Sequence, residues 1–190
     1  TGGSGDTDVF NRVDPNIGGN SSFIWAAEDI DSAISGSSTL TLDQIDITGF
    51  NDFTFSVDLL TRNSNDWDGN SEVLITYSID GGTSQNLLCI QNKNGVTNEP
   101  AAIDRDFDGD GDNGEELPAI VDDYPAGVGS TFENFSAPQI FLSGNTSLDI
   151  TIEYNNLDQN DIGLYMDNIE ISSTSAGSSV DEDSSISDVT

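Results

Sequence analysis

The chain has 190 residues, long enough for one well-packed domain. It carries 35 acidic residues against Arg12, Arg62, Lys93 and Arg105, with no histidine, for a formal net charge of −31. That balance disfavours nucleic-acid phosphate and anionic lipid as partners, and the missing imidazole removes His-based general bases, Ser-His dyads and imidazole zinc sites.

In chain order, the sequence opens with TGGSGDTD, without an initiator Met, a basic stretch or an apolar leader. Such a start is expected of a mature or excised segment whose export signal has been removed. Period-2 alternation then dominates and helical period is almost missing. The strongest strands are expected over residues 53–59 (FTFSVDL), 73–79 (VLITYSI), 148–154 (LDITIEY) and 165–171 (YMDNIEI). Weaker candidates lie at 22–27, 39–47, 85–90, 131–135 and 139–142. Nine short strands separated by Gly, Asn, Asp and Ser turns predict an all-β, antiparallel β-sandwich of jelly-roll type over residues 1–171. The stretch 91–129 is too long for a plain loop and is expected to be organised by a bound cation. Residues 172–190 form a Ser/Asp-rich tail whose only apolar anchors past Ser179 are Val180, Ile186 and Val189. A segment so poor in apolar side chains cannot offset its own ordering cost. This tail, or residues 1–10, is therefore expected to lie along a neighbouring subunit or domain. No run reaches the ~20 apolar residues of a membrane span.

Residues 104–115 read DRDFDGDGDNGE and fit the twelve-residue calcium-loop template at every specified position. Asp104, Asp106 and Asp108 fall at positions 1, 3 and 5, with Gly109 at the sharp turn. Asp110 would offer its carbonyl, Asp112 would act directly or through water, and Glu115 would close the shell with both oxygens. Ca²⁺ wants six to eight oxygens at about 2.3–2.6 Å, and alternating carboxylates on a tightly turning backbone supply them. The competing reading is a solvated acidic loop. Gly111 replaces the aliphatic residue usual at position 8, and Pro100, Pro118 and Pro125 interrupt any flanking helix. The expectation is a structural calcium in an EF-hand-like loop without helices, not a sensor. The general acidity fits a calcium-loaded extracellular protein or one from a salt-rich habitat.

Glu28, Asp29, Asp31 and Asp167 form a candidate second cation site that would tie the first strand to the last. Trp67, flanked by Asp66 and Asp68, has two readings: a ring stacked on a sugar face, or a ring covering a sandwich edge. Tyr77 and Tyr124 are further stacking candidates. Trp25 is expected to pack in the core. Cys89, alone in LLCIQ, reads as a small buried hydrophobe and leaves no disulfide framework.

The order of FIWAAEDID, LDQIDITGFNDFTFSVD, Asp66-Trp67-Asp68, VLITYSIDGG, the Asp-rich loop and DIGLYMDNIEI resembles a bacterial module. It is similar, from Phe23 to Ile171, to the jelly-roll-like β-sandwich modules of large secreted or surface-attached proteins. These include adhesins and the accessory regions of extracellular nucleases. The resemblance implies an extracellular location and calcium. Asp167 and Asn168 match its closing motif, and Asp80 to Gly82 its hairpin turn.

Together these features predict a non-enzymatic, calcium-stabilised structural or adhesion module, self-associating or bound to neighbouring domains within a surface layer, filament or adhesin. The alternative is a carbohydrate-binding module of a secreted multidomain protein, with glycans as partners. A third, distant reading is an enzyme using the calcium loop to hold an anionic substrate.

Overall fold

The structure is a computed structural model. It describes residues 9–13, 24–28, 37–62, 67–93, 100–105, 107, 119–120, 131–157, 162–173 and 180–181. Among them are twelve strands: β1 (Val9–Val13), β2 (Ile24–Glu28), β3 (Ser37–Asp46), β4 (Asp52–Arg62), β5 (Glu72–Ile79) and β6 (Gln85–Asn92) lead. Then come β7 (Ala101–Asp104), β8 (Glu133–Ser136), β9 (Ile140–Phe141), β10 (Ser147–Asn155), β11 (Gly163–Ser172) and β12 (Val180–Asp181).

The strands make two antiparallel sheets. One runs β1-β2-β11-β4-β8, with β9 on β4 and β12 on β11; the other runs β3-β10-β5-β6-β7. The pairs β2·β11, β3·β10, β4·β8 and β5·β6 are nested like the two arms of one long hairpin. Wrapping that hairpin into two layers produces a jelly roll. The β-sandwich expected from alternation is the fold observed.

Alternation builds the core directly. Phe53, Phe55, Val57 and Leu59 of β4, and Val73, Ile75 and Tyr77 of β5, face inward, as do Leu148, Ile150, Ile152 and Tyr154 of β10. Intervening positions such as Thr54, Ser56 and Asp58 point away. Each fully buried large apolar side chain contributes about 1.5–3 kcal/mol relative to exposure, so these rows dominate stability. A bulge between Asp167 and Glu170 interrupts the β11–β4 ladder, with Asn168 at φ +47°. Asn168 Nδ2 donates to Asp58 Oδ2 at 2.7 Å, and Asn134 Nδ2 donates to Asp58 Oδ1 at 2.7 Å. One carboxylate thus ties three neighbouring strands.

Three strands escaped the sequence reading. β1 is too polar to show alternation, and β12 is two residues long. β7, AAID, is buried at all four positions and has no polar face to alternate with. It lies inside the 91–129 stretch, which is therefore anchored in part by sheet pairing. Ile120 N donates to Ala101 O at 2.9 Å, and Thr61 Oγ1 donates to Ile120 O at 3.5 Å. Two residues of the tail are placed: Asp181 and Val180 pair with Glu170 and Ile171 of the same chain. Val9–Val13 likewise pairs with β2 of its own chain. These two short strands satisfy backbone groups that β2 and β11 leave at their edges.

Candidate functional site

The acidic loop is launched from β7. Asp104 is the last residue of that strand, opposite Cys89 on β6, and is fully buried. Its Oδ1 accepts the backbone N–H of Phe107 at 2.6 Å. The short side chain so reverses the chain within three residues, the usual work of Asp at a turn. Phe107 takes φ +60° there, a left-handed conformation costly for an aromatic residue, and its ring is 40% exposed. Arg105 lies between them, exposed. Asp106, Asp108, Asp110, Asp112 and Glu115 fall outside the described residues. Among the described residues no three His, Cys, Asp or Glu side chains gather to hold an ion.

Of the second candidate site, Glu28 and Asp167 lie on described strands. Glu28 pairs with Gly163, and Asp167 lies four residues further along β11. At the rise of a strand that backbone offset is roughly 13 Å along the sheet. Asp29 and Asp31 fall outside the described residues. The β2–β11 ladder itself ties these two strands together.

Trp67 is fully buried in the main core, and Asn92 Nδ2 donates to its carbonyl. A ring with no exposed face cannot stack on a sugar, so that role is withdrawn. Asp68 caps a tight turn, its N–H donating to Ser71 Oγ at 3.2 Å. Asp66 and Tyr124 lie outside the described residues. Tyr77 is buried edge-on against Phe53, ring centroids 5.5 Å apart. Trp25 packs against the core half-buried, as expected. Tyr77 is turned inward by the alternation of β5, whereas Trp67, outside the strands, is buried by the elements that cover it, which its acidic neighbours in sequence do not reveal.

Cys89 is 1% exposed. Burial first, then the carboxylates of Glu72 and Asp104, push its thiol well above the ordinary range. A thiol held protonated is a poor nucleophile, in keeping with a structural role.

The sequence places Asp80 in a hairpin turn but does not reveal what its carboxylate holds. In the DGG turn Asp80 and Gly81 have φ +50° and +68°, and Gly82 N donates to Ile79 O at 2.9 Å. Positive φ at both central residues is the type I′ requirement that Asp-Gly meets. Asp80 Oδ1 accepts the N–H groups of Thr146 at 3.0 Å and Ser147 at 2.9 Å, and Oδ2 accepts Asn145 Nδ2 at 2.9 Å. The Asn145 amide, then the two N–H groups, hold its carboxyl far below the usual range. The signal available was the DG turn itself; its partners lie about 65 residues away.

A cavity of about 100 Å³ opens beside the acidic loop, lined by Asn86, Leu87, Leu88, Asp104, Arg105, Phe107, Ser136, Pro138 and Ile140. Compared with known proteins, the chain matches no family model and no curated sequence.

Proposed function

We propose that the chain is a non-enzymatic, calcium-stabilised structural or adhesion module, extracellular as the resemblance implies, serving as a subunit or repeat of a surface assembly. The observation that carries the reading is Asp104, the first position of the loop template, buried at the end of a sheet strand. The chain's net charge of −31 makes a run of carboxylates leaving that strand self-repelling unless a cation joins them. One Asp104 oxygen already bends the chain back at Phe107. The remaining ligands, Asp106, Asp108, Asp110, Asp112 and Glu115, follow at template spacing. Rigid strand on one side and oxygen-rich turn on the other suit a hard cation. Bound there, calcium would neutralise mutual repulsion in the loop and hold it against the sandwich. The inert thiol of Cys89 and the all-β framework fit a scaffold.

The test is thermal melting with millimolar calcium against chelator. A ligand binding only the native state at a hundredfold excess over its Kd stabilises by about 2.7 kcal/mol, a shift of several degrees. Superimposable curves would sink the calcium assignment. Turnover on glycoside, ester, peptide or nucleic-acid substrates, abolished by replacing one carboxylate, would overturn the non-enzyme reading.

A further inference from the structure

The cavity beside the loop sits where the two sheets end. On one side, β7 pairs with β6 only over Cys89–Asn92, so residues 86–88 of β6 keep an unpaired edge among the described residues. On the other side, β8 is the edge of its sheet, and Ser136, Pro138 and Ile140 close the cavity. The walls are mainly apolar: Leu87, Leu88, Pro138, Ile140 and the Phe107 ring. A space of about 100 Å³, smaller than the roughly 150 Å³ that accommodates benzene but open at its mouth, takes one aliphatic side chain or the inner part of an aromatic one.

Phe107 stands out at its mouth. An aromatic residue held at φ +60° with a half-exposed ring stores strain and leaves apolar surface in water. Strain of this kind concentrates at ligand clamps. An open stretch of strand edge beside an apolar pocket is the arrangement that takes an added strand, with backbone bonds supplying affinity and the pocket reading one side chain. The net charge of −31 selects the sign of the partner. It draws in Lys and Arg, and it disfavours a second copy at this edge unless cations screen the acid-on-acid contact. Arg105 is the only cation among the lining residues, and it is exposed.

We propose that this cavity docks the apolar anchor of an extended, cationic peptide segment, which adds to the β6 edge at residues 86–88. The proposal goes beyond the structural reading above and does not depend on calcium occupying the loop.

The probe is a fluorescent peptide, Lys-Val-Lys-Phe-Lys-Val-Lys, followed by anisotropy at physiological ionic strength, in calcium and in chelator. Replacing its central Phe by Gly is expected to weaken binding about tenfold, as for loss of a buried anchor. Phe107→Gly should weaken binding several-fold without lowering Tm, because glycine suits the positive φ. Arg105→Glu should strengthen binding by removing the repelling cation. Phe141→Ser tests general stickiness: Phe141 is 79% exposed but adjacent in β9 to the lining Ile140, hence on the opposite face, and its loss should change nothing. Equal affinity for the Gly peptide, or indifference to Phe107→Gly, overturns the proposal. So does Phe107-dependent dimerisation without peptide, which makes a second copy the occupant. Melts that ignore calcium while the peptide still binds overturn the calcium reading alone.

Discussion

Asp80 and Asp104 each leave a strand and turn the chain, yet they meet opposite surroundings. Asp80 is exposed and takes donors from Asn145, Thr146 and Ser147, so two turns at one end of the sandwich are pinned by one carboxylate. Asp104 is buried, takes the Phe107 N–H, and is followed by four more aspartates at alternate positions. The contrast is between an aspartate that staples two turns and one proposed to ligate. Where amides and hydroxyls converge, the carboxylate is satisfied by the protein. Where further carboxylates follow at alternate positions in the sequence, a cation is the partner we propose. In a chain with 35 acids, composition alone cannot make that distinction. Asp46 and Asp149 belong with Asp80: the first accepts Thr48 N at 2.9 Å, the second Gln44 N at 2.8 Å.

The sharpest way to break the contrast is to remove one carboxylate from each kind of setting. In millimolar calcium, Asp108→Ala is expected to lose most of the roughly 2–3 kcal/mol that cation binding supplies, while Asp43→Ala, on exposed β3, stays near zero. Equal melting of the two variants removes Asp108 from the ligand set. Asp52 is unsuitable as a control, being 5% exposed and the acceptor of Ser173 Oγ at 3.3 Å.

Next in size is Asn168, a positive-φ position held by Asp58 with no acidic run attached. Asn168→Ala should cost roughly 1 kcal/mol more than Asn168→Gly, because alanine resists the left-handed region. Urea melts giving the reverse order would mean the bulge relaxes when the amide is lost. At Phe107, glycine relieves the same strain but forfeits ring contacts, so Phe107→Gly should gain up to about 1 kcal/mol, read by the same melts. A net loss would mean the ring contributes more to the fold than its exposure suggests.

The smallest effect concerns acid. Asp80's carboxyl titrates lower folded than unfolded, so its contribution is full above the ordinary aspartate pKa and fades as pH falls through the folded value. Melts taken between about pH 5 and pH 2 should fall less steeply for Asp80→Asn than for the parent chain, with the variant already weaker at neutral pH. Parallel slopes would mean that Asp80 gains nothing from its donors.

Strands and loop differ in how far each could be read. All nine expected strands are present, and β4, β5, β10 and β11 match to within a residue or a few at each end, because alternation is written locally. β7 was hidden because a strand buried on both faces shows no alternation. The calcium template is equally local, since a twelve-residue loop carries its own ligands. Trp67 misled because acidic neighbours advertise a surface, whereas the inward direction of its ring is set by the strands that cover it.

By itself the sequence determined the class of element, the face each strand buries, the Asp-Gly turn and the acidic spacing after Asp104, all consequences of residues a few positions apart. Only the tertiary structure decided that β2 would pair with β11, that Asp80 would find its donors on the distant β9–β10 turn, and that sheet edges would leave a cavity beside Phe107. Those outcomes depend on residues 50 to 140 positions apart, whose meeting is fixed by how two apolar faces close on each other rather than by any local pattern.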